Sequence, residues 1–154
     1  MSDSGAQRPV LRTGHVGLNV TNLERSTAFY RTVFGFEVVD QSTEAGRRFA
    51  FLGDGRTVVL TLWEQSDGRF DAARPGLHHL SFQAPTVEEV REAEARLRAL
   101  GARFRYDGIV AHREGASSGG IFFEDPDGTR LEIYAPAGVA AEAPVAGSPT
   151  CGFF

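Results

Sequence analysis

The sequence predicts an α+β protein made of two successive β-α-β-β-β modules, and three observations carry that prediction. First, landmarks recur in the same order: His15 and His79, the glycines Gly35 and Gly101, and the pairs Asp54-Gly55 and Asp127-Gly128. Second, each half opens with an alternating strand followed by a capped amphipathic segment that stops at glycine. Third, each half closes on a run of strand formers that follows a tight, glycine-containing turn.

In chain order, residues 1–12 are polar and punctuated by Gly and Pro, and are expected to be a flexible tail. In His15–Val20, Val16, Leu18 and Val20 share one face, while His15, Gly17 and Asn19 share the other, because side chains alternate along a strand. Asn22 is a suitable N-cap for a helix over about Leu23–Phe34, with Gly35 as its stop. Strands are expected over Phe36–Gln41, Arg48–Leu52 and Thr57–Trp63, and residues 64–76 form a connection. The second half repeats the order. His79–Gln83 places Leu80 and Phe82 opposite His79, Ser81 and Gln83. Thr86 and Glu89 have capping-box spacing, and a helix follows over about Val87–Leu100. Strands near Arg103–Tyr106 and Gly119–Glu124 lead into Asp125-Pro126-Asp127-Gly128 and a last strand, Thr129–Tyr134. The modules therefore span about 13–63 and 77–136 within one domain, 13–136. Residues 137–154 are rich in Ala, Gly, Pro, Val and Ser and read as a second flexible tail, although the closing Phe153-Phe154 pair has the chemistry to dock on the body or on a partner subunit.

Composition removes several function classes. All sixteen basic residues are arginine, so Schiff-base chemistry and a phosphate-loop lysine are excluded. One cysteine, Cys151, permits neither an internal disulfide nor a cysteine-based zinc cluster. No apolar run reaches the ~20 residues that cross a bilayer, and no export signal is visible, so a cytoplasmic location is expected. A net charge of −4 with interspersed arginines gives no argument for nucleic acid. The remaining inventory is histidine, carboxylate and hydroxyl. In the last strand, Glu132 is in phase with Arg130 and Tyr134 and opposes the apolar Leu131 and Ile133. From the residues alone it is either part of a solvated face or a metal ligand.

The paired modules, with the motifs His-Val-Gly-Leu-Asn-Val, His-His-Leu-Ser-Phe and Asp-Pro-Asp-Gly-Thr-Arg-Leu-Glu-Ile-Tyr, resemble the vicinal oxygen chelate superfamily over about residues 13–136. That superfamily includes glyoxalase I, extradiol dioxygenases, fosfomycin-resistance enzymes and bleomycin-binding proteins. The resemblance implies a glyoxalase-like fold, a curved mixed sheet around a metal-binding cavity. It implies metal ligands at His15, His79 and Glu132, with His79 preferred over His78 because it shares a face with Ser81 and Gln83. Two imidazoles and a carboxylate suit a divalent metal, Fe(II) first, with Mn(II), Zn(II) or Ni(II) as alternatives. A homodimer acting on a small-molecule substrate, with no nucleic-acid or membrane partner, is the implied assembly.

Two departures shape the functional expectation. By repeat symmetry the first-half counterpart of Glu132 falls at Val59 or Leu60, where glyoxalase I has a carboxylate, which counts against a copy of its mechanism. The run His112, Ile121-Phe122, Asp125-Pro126-Asp127-Gly128, Glu132 is similar to the extradiol dioxygenase signature, with Phe122 replacing a tyrosine. This assigns His112 as catalytic acid or base and Phe122 as a candidate substrate contact; Asn19, Ser81 and Gln83 on the polar strand faces, and Arg130 and Tyr134 in phase with Glu132, are the other candidate contacts. The expected activity is a dioxygenase-like oxidoreductase on a substrate with neighbouring oxygens. The alternatives are a glyoxalase- or epimerase-type lyase or isomerase, a fosfomycin-type resistance enzyme, and, outside catalysis, a metal-free antibiotic-binding protein of bleomycin-resistance type.

Overall fold

Two four-stranded mixed sheets, each carrying one helix, form the computed structural model, which describes residues 9–154. The tail expected over residues 1–12 lies outside the described residues as far as position 8; Val10 and Leu11 beyond it are exposed. Module 1 contains β1 (Val16–Asn19), α1 (Leu23–Phe34), β2 (Glu37–Ser42), β3 (Phe49–Gly53) and β4 (Val58–Trp63). Module 2 contains β5 (Leu80–Gln83), α2 (Val87–Ala99), β6 (Val110–Ala111), β7 (Gly119–Glu124) and β8 (Arg130–Ala135). The sheet orders are β1-β4-β3-β2 and β5-β8-β7-β6. In both, the first strand runs parallel to the last and the remaining pairs are antiparallel, as expected when a helix carries the chain back over the sheet.

Local chemistry sets the helix limits. The Asn22 side chain accepts the Arg25 N–H at 2.9 Å, and Gly35 ends α1 in the left-handed region at φ 70°. On α2 the Thr86 hydroxyl accepts from the Glu89 N–H while the Glu89 carboxylate accepts from the Thr86 N–H at 3.0 Å, a complete capping box. Leu18, Val20, Leu52, Leu60 and Leu62 of the first sheet join Ile121, Phe123, Leu131 and Ile133 of the second in one core around the buried faces of both helices. The apolar strand faces predicted from alternation are the faces that meet this core.

The modules are locked together by rings and by a clasp. Phe34 of α1 packs on Phe82 of β5 with ring centroids 4.6 Å apart. The turn between β7 and β8 also grips module 1. The buried Tyr30 hydroxyl donates to Asp125 Oδ2 at 2.8 Å, while Asp127 accepts from the Thr21 N–H at 3.1 Å and from Arg25 at 2.7 Å. Asp125 Oδ1 accepts from the N–H groups of Asp127 and Thr129, so the turn is braced from within. Burial pushes the Asp125 carboxyl above the usual aspartate range, against the hydrogen bonds from Tyr30, Thr129 and Asp127.

Three sequence expectations are corrected. Arg103–Tyr106 makes only an isolated bridge, Phe104 to Phe123. The edge is taken over by β6, because the chain turns at Gly108 (φ 82°) and returns beside β7. The counterpart of Glu132 is neither Val59 nor Leu60. Thr61 pairs with Gly17 and Phe51 as Glu132 pairs with Ser81 and Phe122, and a register shift between Leu52 and Gly53 displaces the count. Finally, residues 137–154 do not run free. The N–H groups of Val139 and Thr150 donate to Ser117 and His112 carbonyls at 2.9 Å each, Val139 is buried, and a 3-10 turn forms over Thr150–Phe153. Composition suggested a flexible tail because the segment has no periodicity; backbone hydrogen bonds, which composition does not encode, hold it.

Candidate metal centre

The polar face of the second sheet is built by pairing. Ser81 and Phe122 flank Glu132 on the two neighbouring strands, and Gln83 and Gly120 flank Tyr134 in the same way. Gly120 is required there: a Cβ would lie 2.0 Å from the Ile133 carbonyl oxygen. Glu132 is only 3% exposed. Burying an ionised carboxylate costs several kcal/mol unless it is compensated, yet among the described residues its side chain makes one hydrogen bond.

That bond comes from His112, whose Nε2 lies 2.5 Å from Glu132 Oε1. An ionised carboxylate only accepts, so Nε2 carries the proton, and in the neutral ring Nδ1 accepts from the Ser118 hydroxyl 3.0 Å away. The other carboxylate oxygen, Oε2, faces His79 Nε2 at 3.6 Å, too far for a hydrogen bond. Burial first, with His78 and Arg130 adding to it, holds the His79 imidazole below its usual range against the attraction of Glu132, so the neutral ring is favoured. His79 Nδ1 is engaged with His78 Nδ1 at 2.8 Å. When His79 donates in that pair, its Nε2 lone pair points into the gap beside Oε2.

Two donors bound about 2.1 Å from one ion at right angles are about 3.0 Å apart, and about 4.2 Å apart when opposed. The 3.6 Å gap between His79 and Glu132 falls between those limits. The pair therefore fits two ligands of a divalent ion, and the chemistry of an imidazole with a carboxylate suits a transition metal. No group of three or more His, Cys, Asp or Glu side chains among the described residues is arranged to hold an ion. His15 is exposed on module 1 and, among the described residues, is not grouped with this pair.

The candidate substrate residues divide between the modules. Ser81 and Gln83 are exposed on the open face; Tyr134 is half-buried, donates to Gln83 at 2.8 Å and packs on His112 with centroids 5.0 Å apart. Phe122 is fully buried beneath Tyr106 and Phe154. Arg130 lies over the Phe154 ring at 5.6 Å. Asn19 stands on module 1, where its side chain accepts from the Gln65 N–H, apart from the others. Ser118 escaped the sequence argument, although its spacing from His112 is what a hairpin partner would have, and of the two docking places open to the closing aromatic pair Phe154 takes the body of its own chain.

The sequence profile of the Glyoxalase/Bleomycin resistance protein/Dioxygenase superfamily matches residues 12–133. The catechol-2,3-dioxygenase of Bacillus subtilis (strain 168) is 32% identical over 124 residues, covering 79% of this chain and 40% of that protein. A trivalent organoarsenical cleaving enzyme of Bacillus sp. (strain MD1) is 32% identical over 124 residues, covering 80% of this chain and 73% of that enzyme. This chain thus spans less than half of the dioxygenase and most of the arsenical enzyme. Among solved structures, a glyoxylase/bleomycin resistance protein/dioxygenase domain from Frankia sp. EAN1pec superposes with a TM-score of 0.70 at 25% identity, covering 82% of this chain and 93% of that one. Divalent metals serve members of the superfamily, manganese among them.

Proposed function

The chain belongs to the glyoxalase/bleomycin resistance/dioxygenase superfamily, and from that premise we propose that it is a metal-dependent, dioxygenase-like enzyme whose site is centred on Glu132. The observation that carries the proposal is the buried Glu132 carboxylate, held by His112 through one oxygen and turned toward His79 with the other. His79, Glu132 and His15 would hold the ion. Because His15 is exposed and apart from the pair, it is proposed to come from a second copy, across the subunit interface that the family resemblance implies. Bound there, a divalent ion, Fe(II) first, would supply Lewis acidity to neighbouring substrate oxygens and a site for oxygen activation.

The chain's own residues do the rest. His112 fixes the rotamer of Glu132 and keeps Oε2 free. With its proton on Nε2 and Ser118 behind it, His112 is also the group placed to pass a proton across the site. Tyr134 and Gln83 border the open side, and Phe122, fully buried beside Glu132 on the neighbouring strand, offers no tyrosine hydroxyl. A second reading, cleavage of a trivalent organoarsenical, is favoured by length, since this chain covers 73% of the arsenical relative and 40% of the catechol relative.

Elemental analysis of protein purified without chelators, followed by oxygen-electrode assays with catechols and with a trivalent phenylarsenical, tests both readings. The expected result is about one divalent ion per Glu132, lost in His79→Ala, with oxygen uptake on one substrate class. A chain that binds no divalent metal would sink the enzyme proposal and leave the antibiotic-binding alternative.

A further inference from the structure

We propose that the Thr150–Phe154 segment is a displaceable strap, and that Phe154 holds, in its own chain, the subsite for an aromatic ring of the substrate. The strap is tied at one end and loose in chemistry at the other. Thr150 is fully buried; its hydroxyl donates to the Ala111 carbonyl at 2.6 Å and its N–H to the His112 carbonyl at 2.9 Å. From that anchor the 3-10 turn carries Phe154 across the open face of the second sheet. Its ring lies nearly parallel to the His79 imidazole, with centroids 6.1 Å apart and planes at 25°, and meets Phe122 edge-on at 5.4 Å. The Arg130 guanidinium covers it at 5.6 Å. A flat face, an edge and a cation are the contacts an aromatic ring seeks, and they are set beside the His79–Glu132 pair.

The holding contacts beyond Thr150 are few and partly wet. The Phe153 carbonyl accepts from Arg105 at 3.2 Å and Tyr106 at 3.1 Å, both near the surface, and the Phe153 ring is exposed. The energetic profile is that of a segment that opens locally while its anchor stays closed. An incoming ring must displace Phe154, so the strap lowers apparent affinity by the fraction of time it is docked. The inference rests on the proposed function for the identity of the site, but not on the metal.

The test compares the full chain, Phe154→Ala and a chain ending at Ser148, each titrated with catechol and with 1,2-cyclohexanediol by calorimetry, with and without added Mn(II). Cys151, the single cysteine, takes a trifluoromethyl tag in the full chain, so that fluorine NMR reports the strap. Both shortened side-chain variants are expected to bind catechol about tenfold more tightly than the full chain and to prefer it to the alicyclic diol. In the full chain catechol is expected to move the tag signal toward that of an unfolded segment. Equal or weaker catechol binding without the strap, no preference for the aromatic diol, or binding with an unmoved tag signal would each overturn the inference. Catechol affinity gained without any Mn(II) binding would keep the strap and sink the metal enzyme; Mn(II) binding without that gain would do the reverse.

Discussion

The two modules share topology, ladder pattern and helix placement, and differ in what their open faces carry. In module 1 the position equivalent to Glu132 is Thr61, whose hydroxyl accepts from the Trp63 indole at 3.0 Å. Around it Phe49, Phe51 and Trp63 form an aromatic cluster, with Phe49 and Trp63 centroids 5.4 Å apart. In module 2 the same lattice positions hold Gly120, Phe122 and Tyr134 around a buried carboxylate with two histidines beside it. The scaffold is repeated, but the buried carboxylate with two histidines beside it is present in one copy. The departures from the repeat thus single out the strand on which the candidate site is centred.

The sharpest way to erase the difference is Glu132→Thr, which gives module 2 the residue of module 1. Metal affinity, read by titration with Mn(II), should fall by more than the ~10–100-fold typical of losing an outer partner, while the fold, which already accepts threonine at the equivalent position, is retained by circular dichroism. Next in size is His112→Gln. It removes the imidazole between Ser118 and Glu132, and should cost about 10–100-fold in metal affinity or turnover. A variant with unchanged metal affinity and an unchanged pH profile of turnover would remove His112 from both proposed roles.

Sequence patterning made most of this legible, for identifiable reasons. Alternation fixed which faces of β1 and β5 enter the core, and the Asn22 and Thr86 caps set the helix starts to the residue. The pairing of His79 rather than His78 with Glu132 also follows from alternation. What patterning does not carry is register across a bulge, which moved the equivalent of Glu132 to Thr61. Nor does it carry the fate of an aperiodic segment, so the docking of Thr150 and Phe154 required coordinates. The Asp125-Pro126-Asp127-Gly128 turn was visible as a hairpin signal, but its second function, gripping Tyr30, Thr21 and Arg25 of the other module, depends on residues about a hundred positions away.

That clasp gives the third prediction. Tyr30→Phe keeps the ring packing against Phe29 and Phe34 but strips the donor from Asp125 Oδ2. The loss should be about 1–3 kcal/mol, the cost of a buried polar group left unsatisfied, measured by urea unfolding. The helix caps give a smaller and more even contrast: Asn22→Ala and Thr86→Ala should each cost about 1 kcal/mol, with Thr86 the larger because its hydroxyl both accepts from the Glu89 N–H and donates to the Glu89 carboxylate at 3.0 Å.

The smallest effect concerns His79 and tests the asymmetry through protons alone. Its folded imidazole is held below the usual histidine range, by burial first. A depressed folded value means that the unfolded chain takes up a proton before the folded chain does. The stability this group contributes is therefore fully present above the unfolded value and is lost as pH falls from there through the folded value. In metal-free protein, His79→Gln should flatten the decline in unfolding free energy on acidification below about pH 6.5, the unfolded value. The decline would then be carried by a histidine that is partly buried beside a carboxylate, a setting its exposed repeat counterpart His15 does not have. If His79→Gln left the decline as steep as before, the burial of His79 would carry no cost to folding, and the contrast between the modules would lose its electrostatic support.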